Sequence, residues 1–226
     1  MKNDKILELR QQNRWRKYDL FLQEFAPKED EKILDVGFAN EEYSDVDNFL
    51  EKNYPYQSKI TALGIYENAD LFRERYPDVK VVLYAGGEEG NNLRFPFGDK
   101  TFDIGWSNAT LEHVGNEEKQ ILFLKELRRT CKKIYFTTPN RFFPFELHTR
   151  YPLIHWLPKK IFDMILNLVG KEWASGDYMY LLSEYKLRKI LKKAKIDFYR
   201  IHCNKFLGLT VDFSVVIKDF SANQSY

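Results

Sequence analysis

Two histidines with nearby glutamates are the side chains best suited to acid–base chemistry. His113 directly follows Glu112, and His148 comes shortly after Glu146. An imidazole titrates near neutral pH and can accept a proton from a hydroxyl group within hydrogen-bond distance. We therefore predict that both histidines are general-base candidates, with Glu146 or Glu112 as the orienting partner. We favour His148, because it lies in an aromatic stretch where a substrate would enter; a purely structural histidine is the alternative.

Two arginines in the same stretch suit the binding of an anion. Arg141 and Arg150 carry planar guanidinium groups that match phosphate or carboxylate oxygens. Together with Glu146 they are the predicted substrate contacts, and surface salt bridges are the alternative for the arginines. Cys131 and Cys203 lie far apart and lack the spacing of a metal or redox site. We predict no metal site.

A strand, a glycine turn and a helix must position this chemistry. Ile33 to Val36 form a short apolar run interrupted only by Asp35, and the run ends at Gly37. Residues 44–52 then have the pattern of a helix. Glycine allows a sharp turn and close approach of a ligand, and the following helix directs its amide-rich N-terminus to the same crevice. The pattern is typical of the first half of a nucleotide-binding βαβ unit.

Strands and helices alternate along most of the chain, which favours an α/β fold with a parallel sheet. Strands are predicted over residues 33–36, 59–66, 79–84, 102–106, 133–137, 197–202 and 211–217. Helices are predicted over residues 4–25, 44–52, 69–75, 117–129, 161–169 and 183–194, and Ser183 is the expected N-cap of the last one.

A long aromatic segment interrupts the alternation. Residues 138–182 are rich in aromatic residues and proline, and connections of this length in a compact domain are usually functional. We predict one domain over residues 1–226, with an N-terminal helix within residues 1–28 and a substrate-side insertion or lid at 138–182. Core filling is the expected role of most aromatic rings, and a ring-lined pocket is the alternative.

Charge and hydropathy limit the classes of partner. The net charge of +2 and the lack of a dense basic stripe argue against a nucleic-acid partner. No run approaches the ~18 apolar residues of a membrane span. Residues 161–169 resemble an amphipathic helix that, together with residues 151–157, could touch a membrane surface; burial or a lid role is the favoured interpretation. No signal peptide is visible and two separate cysteines fit a reducing compartment, so we expect a cytoplasmic protein with both thiols buried.

Three motifs together resemble the class I S-adenosylmethionine-dependent methyltransferases, of the type 11-like kind. They are Ile33-Leu34-Asp35-Val36-Gly37, the segment 93–104 that leads into the fourth strand, and Ser107-Asn108-Ala109-Thr110-Leu111-Glu112-His113-Val114 directly after it. The resemblance covers about residues 31–140. It implies a Rossmann-like three-layer αβα sandwich with a mostly parallel seven-stranded sheet, an aromatic-rich insertion after strand five, and S-adenosylmethionine as cofactor.

The resemblance also implies which residues hold the cofactor. The first turn would hold the methionine end. Within it Asp35 would hold the ammonium indirectly through backbone or water, and a carboxylate that only orients the turn is the alternative. The second strand end would hold the ribose, a glycine pair would face the adenine edge, and the fourth strand end would close the cleft. In chain order these residues are Asp35, Gly37, Ala39, Tyr66, Glu67, Gly86, Gly87, Ser107 and Asn108. Ala39 and Glu41 stand where the family usually has glycines, and Tyr66 stands where it usually has an acid.

The segment 137–150 resembles a subgroup associated with glycan and cell-surface biosynthesis. This resemblance implies methyl transfer to a hydroxyl of a sugar, a glycan precursor or another small metabolite. The altered glycine turn leaves open a second hypothesis, a catalytically silent binding or scaffold protein. A dehydrogenase is disfavoured because Gly37 does not begin a full glycine fingerprint. The sequence does not predict an oligomeric state.

Overall fold

The computed structural model describes residues 2–65, 68–84, 93–145, 151–176 and 179–218, except for the side chains of residues 2–7 and 173. The strands in this part of the chain are β1 Ile33–Val36, β2 Ile60–Gly64, β3 Lys80–Leu83, β4 Phe102–Asn108, β5 Cys131–Pro139, β6 Arg200–Phe206 and β7 Leu209–Ile217. The α-helices are α1 Lys2–Phe25, α2 Phe49–Asn53, α3 Asp70–Arg75, α4 Glu117–Thr130, α5 Lys159–Leu168 and α6 Glu184–Lys193.

The strands form one seven-stranded sheet in the order β3-β2-β1-β4-β5-β7-β6. β1 pairs in parallel with β2 and β4, β2 pairs in parallel with β3, and β6 is antiparallel to β7. Helices connect most of the successive strands. The predicted Rossmann-like α/β fold, with a mostly parallel seven-stranded sheet, is therefore confirmed.

The chain forms two compact units, of which the first comprises Met1–Ser107 and Arg128–Tyr135. Aromatic rings of α1 fill its core. Phe21 packs edge-on against Trp106 with ring centroids 4.9 Å apart, and Trp106 stacks on Tyr135 at 5.0 Å. The Tyr135 hydroxyl donates a hydrogen bond of 2.8 Å to the carbonyl of Lys17. These rings fill the core, as expected, and fix the N-terminal helix in this unit.

The second unit comprises Asn108–Leu127 and Phe136–Tyr226. β6 and β7 form its antiparallel hairpin, and α6 begins after Ser183, whose hydroxyl accepts from the amide of Lys186. The predicted N-cap of α6 is thus confirmed. The aromatic segment after β5 contains α5, which buries Phe162 and Leu166 in a small apolar cluster.

Several boundaries differ from the prediction, most clearly at the second helix. α2 begins at Phe49 rather than near residue 44, because the Asp47 carboxylate accepts from the amides of Tyr43 and Ser44, and Asn48 has a left-handed φ of 46°. These side-chain bonds hold a turn where the pattern indicated a helix. β4, β5 and β7 are longer than predicted, and β6 begins three residues later.

The two thiols differ in exposure. Cys131 is buried as predicted, but Cys203 is exposed, so the prediction for Cys203 was wrong. Cys203 lies on β6, which stands at the end of the strand order beside β7 and carries only half-buried and exposed side chains. No helix in the described ranges is both long and apolar enough to cross a membrane.

Candidate active site

The end of β1 is the point where the strand order of the sheet reverses. β1 lies between β2 and β4, and ligands of open α/β sheets bind outside the carboxyl ends of strands at such a point. Gly37 follows β1 there with a φ of 102° and is exposed. Its amide donates to the Leu63 carbonyl at 3.0 Å. A side chain at this φ would be strained, so the position keeps the crevice open.

The side chain of Asn48 holds the turn after Gly37. Its Oδ1 accepts from the Ala39 amide at 2.8 Å, and its Nδ2 donates to the Ala39 carbonyl at 2.8 Å. The same Nδ2 donates to Glu42 at 2.9 Å. The amide and the carbonyl of Ala39 therefore both have hydrogen-bond partners within the protein, which stabilises the turn.

Glu42 connects this turn with α2 and α3. Its carboxylate accepts from the Tyr76 hydroxyl at 2.6 Å and forms a salt bridge of 2.8 Å with Lys52. Burial alone would raise the pKa of Glu42, but hydrogen bonds from Lys52, Tyr76 and Asn48 lower it below its usual value. Glu41 is exposed and accepts from the Tyr43 hydroxyl at 2.6 Å.

Asp35, predicted to hold the cofactor's ammonium indirectly, is buried beside a second carboxyl group. Asp35 is 5% exposed and Glu51 is 1% exposed. Burial, the charge of Glu51 and a hydrogen bond with it raise the pKa of Asp35 well above its usual value. Burial also raises the pKa of Glu51. Two adjacent buried carboxyl groups cannot both ionise cheaply, so their arrangement favours a shared proton over two charges.

Ser107 connects the end of β4 to the end of β1. Its buried hydroxyl donates to the Val36 carbonyl at 2.9 Å, so it holds the backbone next to Gly37. Asn108 belongs to the second unit, where its Oδ1 accepts from the Thr137 hydroxyl at 2.7 Å. The Nδ2 of Asn108 has no hydrogen-bond partner among the residues that the structure describes.

His113 lies in a short 3-10 helix of the second unit, Leu111–His113, and is half-buried. Glu112, predicted as a possible orienting partner, is fully buried, and its Oε2 accepts from the Thr138 hydroxyl at 3.0 Å. The Glu112 carbonyl accepts from the Tyr180 amide at 2.8 Å. Glu112 therefore connects this helix to β5 and to the segment before α6.

Arg141 lies in the aromatic insertion beside a cavity of the second unit. Its guanidinium donates to the carbonyls of Trp156 and Leu157, at 3.3 and 3.1 Å. The cavity has a volume of about 280 Å³. His155, buried in the same insertion, also lines it and bonds through Nε2 with the Phe143 carbonyl at 2.8 Å. Sequence reasoning did not single out His155.

The other predicted site residues lie outside the described part of the chain. They are the residues predicted to contact the ribose and the adenine edge and three predicted residues of the insertion: Tyr66, Glu67, Gly86, Gly87, Glu146, His148 and Arg150. Among the predicted cofactor contacts, the structure brings Asp35, Gly37, Ala39 and Ser107 together around the end of β1. Glu51 and Asn48 complete this cluster, and the sequence pattern gave no signal for either.

Comparison with known proteins finds a family match over this region. Residues 34–134, somewhat less than half of the chain, match the family model described as a methyltransferase domain. The similar solved structures share the fold, and one of them, the N-terminal domain of EvdMO1, has SAH bound. No curated protein sequence matches the chain significantly.

Solved structures with the same fold have low sequence identity. A SAM-dependent methyltransferase from Aquifex aeolicus is 20% identical, with a TM-score of 0.50 over 88% of this chain and 87% of that one. The N-terminal domain of EvdMO1, crystallised in the presence of SAH and D-fucose, is 18% identical, with a TM-score of 0.55 over 91% and 82%. A putative methyltransferase complexed with the Haloferax volcanii Trm112 activator is 13% identical, with a TM-score of 0.56 over 94% and 92%.

Proposed function

We propose that this chain transfers a methyl group from S-adenosylmethionine to a hydroxyl of a sugar, a glycan precursor or a related small metabolite. The observation that carries the cofactor part is the exposed Gly37 turn at the strand-order reversal, within the residues that match a methyltransferase domain. The presence of D-fucose in the EvdMO1 crystals supports a sugar acceptor by analogy. The whole chain would act as one domain in the cytoplasm.

The bound cofactor supplies a methyl group that is already activated on a sulfonium sulfur, so the protein mainly aligns the reactants and excludes water. The backbone at Gly37 would hold the methionine end, because no side chain blocks it. Ser107 fixes that backbone through its bond to Val36. Glu67 would accept the ribose hydroxyls and the Gly86-Gly87 turn would face the adenine edge.

A base must take the proton of the acceptor hydroxyl. His148 is the preferred candidate and His113 the second, because an imidazole is neutral and basic at physiological pH. The insertion at residues 138–182 would form the substrate side of the site. Within it, Arg141, Glu146 and Arg150 would contact the substrate.

Calorimetry with S-adenosylmethionine and a matched pair of glycine variants tests the cofactor site. Gly37→Ala and Gly208→Ala both place a Cβ at a positive φ, 102° and 81°, but Gly208 lies in the β6–β7 turn. Each should cost about 1–2 kcal/mol of stability. Only Gly37→Ala should weaken cofactor binding, by about tenfold for a lost contact of about 1.4 kcal/mol. Absence of binding to folded wild-type protein at millimolar cofactor would contradict the proposal.

Transfer of a labelled methyl group to sugar acceptors tests the catalytic part. His148→Ala should lower turnover far more than cofactor affinity, whereas an equal loss of both would indicate a structural histidine. His113→Ala provides the comparison that separates the two base candidates.

One observation favours a second function, a methyltransferase-like binding protein without catalysis. Asn48 occupies both peptide groups of Ala39, so fewer groups of this turn remain for a cofactor. This hypothesis predicts that the sugar binds without measurable methyl transfer. Cofactor-dependent turnover with any acceptor would refute it.

A further inference from the structure

The cavity beside Arg141 has the size and lining of a small-ligand site. All the described residues that line it belong to the second unit, and its volume of about 280 Å³ lies just below the usual range of about 300–1,000 Å³ for ligand pockets. Residues of α4, the insertion, α5 and α6 contribute to it. Side chains distant in the sequence thus converge on one small cavity.

Within the described ranges, two cations at this cavity lack a matching carboxylate. Among those residues the Arg141 guanidinium bonds only to neutral carbonyls, and its Nε and Nη1 have no partner there. Lys186 is exposed on α6 and forms no salt bridge within that part of the chain. Lys159, a third cation of the lining, is neutralised by Asp163 and bonds to the Gly176 carbonyl at 2.6 Å. Arg141 and Lys186 therefore give the described part of the cavity lining an excess of positive charge.

The single carboxylate of the described lining does not cancel this charge. Glu117 forms salt bridges with Lys193 at 2.6 Å and Lys189 at 3.7 Å, neither of which lines the cavity. The hydrogen bond from Lys193, with smaller effects of Lys189 and Lys186, lowers the pKa of Glu117. Three lysines of α6 thus share the single carboxylate of Glu117, and the net charge of this group of side chains is positive.

The rest of the lining is apolar, with one oriented amide. Phe162, Met179 and Leu182 contribute buried apolar surface. Gln120 is buried, and its Nε2 donates to the carbonyls of Leu111 and Tyr180 at 3.2 and 3.1 Å. These two bonds fix the amide and leave its oxygen without a partner in the described chain. A fixed acceptor of this kind suits a hydroxyl group.

We propose that this cavity binds a phosphorylated sugar, with the phosphate held by Arg141 and Lys186 and a sugar hydroxyl donating to Gln120. The cations suit a phosphate, the apolar walls suit the carbon-bearing face of a sugar ring, and the amide oxygen suits its hydroxyls. The sugar part rests on the proposed function above. The site thereby defines the acceptor as an anionic sugar rather than a neutral one.

Calorimetry with D-fucose 1-phosphate, D-fucose and inorganic phosphate tests the site on the full chain without cofactor. The phosphorylated sugar should bind most tightly, and binding should weaken with added salt. Lys186→Gln should reduce affinity at least about tenfold, because a charge-assisted bond is lost. Lys192→Gln makes the same charge change on an exposed position of α6 outside the cavity lining, and it should leave affinity unchanged.

The outcomes separate this inference from the proposed function. Equal losses in the two lysine variants would indicate diffuse surface charge and overturn the site, as would equal binding of D-fucose and its phosphate. Inorganic phosphate binding as tightly as the sugar phosphate would refute the sugar part. If the sugar phosphate binds but S-adenosylmethionine does not, the proposed sugar-phosphate site is supported and the methyltransferase proposal fails. If S-adenosylmethionine binds but the sugar phosphate does not, only the proposed sugar-phosphate site is refuted.

Discussion

The buried pair of Asp35 and Glu51 should make the stability of this protein fall as the pH rises. In the unfolded chain both groups ionise near pH 4. In the folded chain the pKa of Asp35 is raised well above its usual value by burial and by Glu51, so the folded state keeps a proton that the unfolded state has released. Protons bound only by the folded state stabilise it at low pH, and this stabilisation is lost as the pH increases toward the raised pKa.

The linkage relation sets the magnitude. For one proton held by the pair, the free energy of unfolding falls by about 1.4 kcal/mol per pH unit above about pH 4. The fall continues until the pH reaches the raised pKa of Asp35. Asp35→Asn replaces the protonated carboxyl group with an uncharged amide of similar shape. The variant should lose this slope and become more stable than wild type at the alkaline end of the range.

Urea unfolding followed by tryptophan fluorescence at several pH values between 5 and 8.5 measures the slope. Asp45→Asn is the control, because Asp45 is exposed and its replacement should leave the pH dependence unchanged. Parallel stability–pH curves for wild type and Asp35→Asn would refute the proton-sharing pair. A loss of stability confined to the alkaline end would instead show that Asp35 is needed in its ionised form.

Two further predictions concern Arg129 and the two cysteines. Arg129 donates to the carbonyls of Phe97 and Phe95 at 2.7 and 3.0 Å, so Arg129→Ala should lower the free energy of unfolding by about 2–4 kcal/mol. Arg129→Lys should cause a smaller loss, and equal losses in the two variants would contradict a role for the guanidinium fork. Burial raises the pKa of Cys131 to about 12, so a thiol reagent added to folded protein at pH 8 should modify the exposed Cys203 first. Comparable rates of modification at the two cysteines would show that Cys131 becomes accessible.

The elements predicted best from the sequence carry strong local signals. β1 begins and ends where predicted, because an apolar run meets a glycine that adopts a positive φ. α6 follows its predicted N-cap, Ser183, and its apolar residues repeat with helical spacing. The start of α2 was missed because side-chain bonds of Asp47 override a helical pattern, and such bonds depend on the folded turn.

The candidate site was less predictable, because its decisive contacts join residues that are distant in the sequence. Glu51 resembles an ordinary charged residue of a helix, yet it faces Asp35 in the core. The cavity cations Arg141 and Lys186 lie on different elements, and only folding brings them to one cavity. No spacing rule connects such pairs, so sequence motifs located the turn at Gly37 but not the side chains that support it.

The alanine at position 39 shows how this turn is maintained without its usual glycine. Ala39 does not have a positive φ, so its backbone needs none of the conformational freedom that glycine provides. Asn48 adopts the left-handed conformation instead, a role that asparagine tolerates better than most residues. From that conformation its amide satisfies both peptide groups of Ala39. Asn48 therefore carries both the left-handed backbone conformation and the hydrogen bonds that hold the turn. Gly37 remains a glycine at the exposed position, where a side chain would obstruct a ligand.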